Sequence, residues 1–384
     1  MAYLDHNATS PLRAEAKTAA EKAFAIGGNA SSIHASGRAA RALIEDARQK
    51  VAAFARAKPD EVIFTSGGTE ADALALWGAV LGSLESRASE KNSGARITRL
   101  FVSAIEHAAV LANAAAVAER FAGLRLETIP MQSSGVVDLD ALRDGLREGK
   151  GRALVAVMAA NNETGVIQPV DGVVALARAE GALVMSDAVQ AAGKVKALPD
   201  TDYLTLSAHK LGGPQGIGAL IVRSGAPYAS LILGGGQERG LRAGTQNVAG
   251  IAGFAAAVEA VSQEVSTSEL RDRFEAGLRE IAQEVIIFGA DAPRLANTSN
   301  FSLPGIAAET ALMALDLDGV MLSSGAACSS GKVKRSHVLA AMGVSDDVAG
   351  CALRASFGWN STEADVEAAL DSISKLVARR RAAA

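Results

Sequence analysis

The run Tyr203-Leu204-Thr205-Leu206-Ser207-Ala208-His209-Lys210-Leu211-Gly212-Gly213-Pro214 decides how this chain folds. An apolar segment delivers the backbone to a lysine, and a glycine-rich stretch carries it away. A lysine at the end of a buried strand is costly to keep charged, so desolvation lowers its pKa. The neutral amine is a nucleophile toward carbonyl carbon, the chemistry of a Schiff base. Upstream, Ala182-Leu183-Val184-Met185-Ser186-Asp187 is a second apolar strand, ending on a carboxylate. A strand-end lysine and a strand-end aspartate together point to pyridoxal phosphate, with Lys210 for the aldehyde and Asp187 for the pyridinium nitrogen. Taken singly, each has a plainer reading, a solvated lysine and a helix-capping aspartate.

Working outward, short apolar strands alternate with alanine-rich helices. Strands are predicted at Val62–Thr65, Arg99–Ser103, Arg125–Ile129, Ala153–Ala159, Leu183–Ser186, Leu204–Ser207 and Ala219–Val222. Helices are predicted at Ala35–Phe54, Glu70–Leu84, Ala108–Phe121, Asp138–Glu148 and Val170–Glu180. This alternation predicts an α/β fold with a mainly parallel central sheet covered by helices. Sites in such sheets form at the carboxyl ends of the strands, where Thr65-Ser66-Gly67, Glu106-His107, Asn161-Asn162, Asp187 and Lys210 all fall. After a glycine- and arginine-rich loop at 234–244, a long helical region runs to about Glu284. Strands at Ser299–Leu303, Val320–Leu322 and Ala352–Phe357 then mix with helices in an α+β pattern. The expected division is a large domain of residues 15–250 and a smaller α+β domain of 1–14 with 251–384, joined by a helical linker near 245–265.

Other segments carry candidate chemistry. Thr65-Ser66-Gly67-Gly68-Thr69-Glu70 leads from strand to helix, where glycine backbone and free N–H groups suit a phosphate; a threonine N-cap explains it equally well. His107, at a helix start, can lie over an aromatic ring or exchange protons, or simply cap the helix. Asn162 and Gln190 are neutral amides placed to meet a ring oxygen, or to satisfy a loop. The stretch 234–245 offers arginines and Thr245 for phosphate or carboxylate recognition, or is a surface loop with solvated arginines. Its distance in sequence from the first phosphate-binding candidate suggests that it closes a site across a subunit interface. Arg354, a cation in an apolar strand, calls for an anion, either a substrate carboxylate or a structural partner.

The chain has two cysteines among 384 residues. Cys351, in Val348-Ala349-Gly350-Cys351-Ala352-Leu353, reads as a small buried hydrophobe. Cys328 lies in Ser323-Ser324-Gly325-Ala326-Ala327-Cys328-Ser329-Ser330-Gly331, followed by Lys332, Lys334 and Arg335. A lone thiol on a small-residue, basic-flanked loop reads as a mobile nucleophile, against the alternative of an incidental exposed cysteine. Two cysteines make no disulfide framework, which fits a reducing compartment. Hydrophobic residues are 49%, charged residues 21% and the net charge −4, an ordinary globular balance that calls for neither nucleic acid nor an anionic membrane. The amino-terminal residues show no signal peptide, and no apolar run approaches the ~20 residues of a membrane span. The expectation is a soluble, cytoplasmic protein.

The chain resembles the group I, NifS/IscS-type cysteine desulfurases of the class V, fold-type I pyridoxal phosphate enzymes. The resemblance runs from Tyr3-Leu4-Asp5-His6-Asn7-Ala8-Thr9-Ser10-Pro11 to the Arg354 strand. It rests on Phe64–Glu70, Glu106-His107, Asn161-Asn162-Glu163-Thr164-Gly165, Asp187-Ala188-Val189-Gln190, the Lys210 segment, Gly244-Thr245 and Ser323–Ser329. It implies a homodimer that converts L-cysteine to L-alanine. Lys210 would hold the cofactor and move the substrate Cα proton. His107 would stack on the ring, Asp187 would meet its nitrogen, and Asn162 and Gln190 its oxygen side. Gly68, Thr69, Ser207 and His209 would hold the phosphate, joined by Thr245 of the second subunit. Arg354, with an asparagine such as Asn162, would take the substrate carboxylate. Cys328 would accept the sulfur as a persulfide, destined for an iron–sulfur scaffold or another acceptor. Gly68 stands where alanine is usual, and 331–336 is more basic than the common pattern. Other enzyme readings are a selenocysteine lyase or a small aminotransferase, though the latter needs no mobile thiol. The non-enzymatic reading is a scaffold that binds a sulfur-transfer partner.

Overall fold

The computed structural model describes residues 1–85, 96–261, 266–325 and 335–383. Two neighbouring strands, Leu183–Asp187 and Tyr203–Ser207, are buried at every position. Strands covered on both faces carry apolar or small side chains on both, so they read as nearly continuous apolar runs. They lie in the middle of a seven-stranded sheet ordered Val62–Thr65, Gly218–Val222, Tyr203–Ser207, Leu183–Asp187, Arg152–Ala156, Ile97–Ser103, Arg125–Ile129. Gly218–Val222 is antiparallel to both neighbours, and every other pairing is parallel. The remaining strands therefore bring their carboxyl ends to one edge of the sheet.

Local chemistry sets the element ends. The Asp138 side chain accepts from the backbone N–H groups of Asp140 and Ala141, starting the helix Leu139–Glu148. The helix expected from Glu70 begins earlier, at Gly68, and runs to Glu85. The strand expected through Ala159 ends at Ala156. Its pairing still continues, through Val157 N to Met185 O and Ala159 N to Asp187 O, so Met158 and Ala160 reach the sheet edge. The long helical region divides into Val248–Val261 and Ser268–Ile281.

A second hydrophobic cluster lies around an antiparallel sheet ordered Ser323–Ser324, Ala352–Ser356, Thr298–Ser302, Ile286–Ile287. Its centre is Phe274, whose ring meets Phe301 and Phe357 edge-on at 5.5 and 5.8 Å. Aromatic pairs in this geometry gain from ring electrostatics beyond their buried area. Ala2 and Leu4 belong to this cluster, because Ala2–Tyr3 pairs in parallel with Val320–Met321. The amino-terminal segment thus passes over the second core and then crosses to the carboxyl edge of the large sheet. Among the described residues, no helix is long and apolar enough to cross a membrane.

Candidate active site

A cavity of about 620 Å³ opens where that edge meets the second core. Lys210 enters it from the 3-10 turn Ala208–Leu211, directly after the Tyr203–Ser207 strand. Gly212 closes the turn at φ 77°, and a Cβ there would come within 2.7 Å of Arg13 Cγ, so glycine is required on both counts. Lys210 Nζ donates to Asn7 O at 2.6 Å and Ala8 O at 2.8 Å. Burial, reinforced by repulsion from Arg354, lowers its pKa to about 8, and the charges of Asp187 and Asp5 oppose the shift.

Asp187 ends its strand on the same cavity and is 8% exposed. Its Oδ1 accepts from Val189 N at 2.8 Å, yet burial raises its pKa against the pull of that N–H, His107 and Lys210. Asp72, also on the cavity, accepts from Thr205 Oγ1 at 2.8 Å, and burial together with Asp187 pushes its pKa well up. His107 caps a helix and also lines the cavity, its Nδ1 accepting from Ala109 N at 3.2 Å at the start of the helix Ala108–Arg120. Accepting at Nδ1 leaves the proton on Nε2 in the neutral ring, and burial lowers the pKa of the imidazole.

At the other end of the site, Gly68, Thr69, Ser207 and His209 converge beside the first turn of the helix Gly68–Glu85. The opening N–H groups of a helix have no intrahelical acceptor, so this end suits an anion. Glu70 would spoil it, but Arg242 holds that carboxylate through bonds of 2.8 and 3.1 Å. His209 is drawn down to about 4 by burial and by Lys210 and Lys194, which leaves it neutral near pH 7. The donor set therefore fits pyridoxal phosphate: an anion cradle, a lowered amine for the aldehyde, and a buried carboxyl with no ion-paired cation among the described residues for the ring nitrogen.

Arg354 also lines the cavity, but it is already paired, with Nη2 donating to Asp5 Oδ1 at 2.7 Å and Nη1 to Asn162 O at 3.0 Å. Gln190 lines the cavity while its Nε2 donates to Asn7 O at 2.9 Å. Asn161 staples the turn that carries Asn162, its Oδ1 accepting from the backbone N–H groups of Glu163 and Thr164 at 2.9 Å.

One expected residue stands apart, and another is not described. Thr245 is exposed and does not line the cavity within one protomer. Cys328 lies outside the described residues; the segments on either side of it are anchored at the site. Ser323 and Ser324 line the cavity, and Ser336 Oγ bonds the Glu163 carboxylate beside Asn162. Cys351 is buried, as its apolar setting predicts.

The arginines of the 234–245 loop are paired within the protomer rather than solvated. Glu238 is 3% exposed and ion-pairs with the buried Arg48 at 2.6 Å, while Arg239 donates to Val62 O at 2.7 Å and Arg242 holds Glu70. Its charged side chains fasten the loop to the large sheet. Sequence reasoning also passed over Asp5, Asn7 and Asp72 as members of the site. Asp72 had a local signal, as an acid within the apolar run Ala71–Val80. Asn7 contributes a backbone carbonyl, which no side-chain pattern discloses.

The chain matches the family described as aminotransferase class-V over residues 2–369. It is 39% identical over 393 residues to an IscS-like cysteine desulfurase of Mycobacterium tuberculosis, covering 100% of this chain and 98% of that protein. The solved structure of a NifS-like protein superposes with a TM-score of 0.88 at 34% identity, covering 99% of this chain and 100% of that one. The structure described as SspA in complex with cysteine superposes at 0.79 with 27% identity, covering 94% and 100% of the two chains.

Proposed function

Because the chain belongs to the class-V aminotransferase family, among its cysteine desulfurases, we propose that this cavity converts L-cysteine to L-alanine with pyridoxal phosphate and passes the sulfur to Cys328. The observation that supports it most directly is the convergence of Lys210, Asp187 and Arg354 on one cavity, with an anion cradle at its far end.

When bound, the cofactor supplies an electron sink for the pair released at the substrate Cα. The residues of the chain do the rest. Gly68, Thr69, Ser207 and His209 would hold the phosphate, and Asp187 would keep a proton on the ring nitrogen. His107 would face the ring of the bound cofactor, and Asn162 and Gln190, which line the same cavity, would offer amides to its oxygen. Lys210 Nζ, its pKa near 8, takes and returns a proton close to neutral pH. Arg354 binds the substrate carboxylate. The Cys328 thiolate attacks the substrate sulfur as the C–S bond breaks, and the carbon gains a proton. L-cysteine and one protein thiol become L-alanine and one protein persulfide, so atoms and electrons balance.

The proposal extends to a cytoplasmic homodimer whose persulfide serves iron–sulfur cluster assembly or thiolation, with Thr245 of each subunit reaching the phosphate site of the other. The exposure of Thr245 on a firmly held loop supports this. Its domains are read as 15–250 and 1–14 with 251–384, although the helix Val248–Val261 packs Ile251, Phe254, Val258 and Val261 into the first hydrophobic cluster, so the large core extends past residue 250.

The deciding experiment reduces the coloured, purified protein with borohydride and maps the label, which is expected on Lys210. A separate, unreduced sample of the holoenzyme, incubated with L-cysteine, should give alanine and sulfane sulfur in equal amounts. A colourless protein that takes up no cofactor, or alanine formed without sulfane sulfur, would sink the reading.

A further inference from the structure

Arg354 is 3% exposed, and its Nε is buried with no partner among the described residues. A guanidinium has five N–H donors. Asp5 and Asn162 take one each, so the pairing with Asp5 leaves the unpartnered Nε–H and further Nη protons for a second carboxylate.

Asp5 is itself firmly placed. Its backbone bridges in parallel to Ser356, two residues beyond Arg354 on the same strand. Its carbonyl accepts from Ala8 N and Thr9 N at 3.0 and 3.3 Å, which folds 5–9 into a turn. That turn presents Asn7 O and Ala8 O to Lys210. One short segment therefore holds both cations of the cavity, and the carboxylate of Asp5 offsets the repulsion between them.

We propose that Asp5 is a positioning residue for amino-acid recognition: it holds Arg354 in the cavity so that the remaining guanidinium donors meet the substrate carboxylate. It sets affinity for the carboxylate, and it stays in place when substrate binds. This rests on the reading that Arg354 receives an amino-acid carboxylate.

The test compares L-alanine with ethylamine, the same molecule without its carboxylate, by the absorption change on binding to the holoenzyme. Asp5→Ala should weaken L-alanine about tenfold while leaving ethylamine within about twofold of wild type. The KM for L-cysteine should rise in proportion, and kcat should change by a smaller factor than KM. Asp5→Asn keeps an acceptor oxygen without the charge and should fall between; it carries the test if Asp5→Ala loses cofactor. Tighter L-alanine binding by the variants would mean that Asp5 occupies the carboxylate's seat, and equal weakening of both ligands would mean a general structural role. Either result overturns the proposal. Wild-type enzyme that fails to prefer L-alanine would refute the carboxylate reading of Arg354, and Asp5 with it. A wild-type preference retained in both variants would refute the role of Asp5 alone.

Discussion

Lys210 Nζ donates to the carbonyl oxygen of Asn7 at 2.6 Å, joining residues 203 positions apart. The bond parks the amine on the amino-terminal turn, in the company of Asp5 and Arg354. A neutral carbonyl satisfies the ammonium without fixing it as an ion pair, so burial is free to lower its pKa.

Lys210→Ala should end covalent cofactor attachment and lower turnover by roughly 10²- to 10⁴-fold or more, the worth of a positioned acid–base group. In the cofactor-free wild type, the rate of cofactor capture should rise with pH and level off above about 8, where the amine is already neutral. Stopped-flow absorbance reads both. A capture rate still climbing toward 10.5, the ordinary lysine value, would show an unperturbed amine.

Asp187→Asn should still bind cofactor, since the phosphate cradle is intact, yet lose most activity because an amide cannot hold a proton on the ring nitrogen. Turnover close to wild type, measured as alanine per bound cofactor, would remove Asp187 from the site.

Glu106 is buried beside His107, and burial raises its pKa to about 8 from 4.5. Its Oε1 accepts from Ser103 Oγ and Met158 N at 2.5 and 2.7 Å, while Oε2 has no partner among the described residues. Between about 4.5 and 8 the folded protein holds a proton here that the unfolded chain has lost. Stability from this group is therefore full below 4.5 and falls as pH rises toward 8, by up to about 1.4 kcal/mol per pH unit. Glu106→Gln keeps the acceptor and cannot ionise, so its stability relative to wild type should increase across that window. Denaturant unfolding at several pH values checks it, and a constant difference would refute the assignment.

Cys328→Ser should separate binding from sulfur transfer. A hydroxyl is a poor nucleophile toward sulfur, so L-cysteine should still perturb the cofactor spectrum while catalytic alanine release stops. Cys351→Ser should leave chemistry intact and lower only stability, since Cys351 is buried and does not line the cavity. Persulfide found by mass spectrometry on Cys351, or wild-type alanine release without Cys328, would overturn the proposed route.

Thr245→Ala should weaken phosphate retention without changing the monomer fold. Co-expressing it with Lys210→Ala tests the action in trans, because each mixed dimer would carry one site with both residues intact. Activity no higher than that of the two parent variants would count against a contribution across the interface.

Helix and strand are set by contacts between near neighbours in the chain: apolar periodicity, a capping aspartate at 138, a glycine forced to φ 77° at 212. These are local causes, so the sequence alone determined the alternation of elements, the parallel sheet, and the strand ends carrying Asp187 and Lys210. It also singled out Arg354 as a cation in need of an anion. What meets those side chains was decided by docking the second core against the edge of the first. That docking brings Asp5 to Arg354 across 349 residues, and Asn7 to Lys210. Only the tertiary structure makes such pairings, because each depends on where two separately packed cores place their surfaces, and a backbone carbonyl such as that of Asn7 has no residue type to announce it.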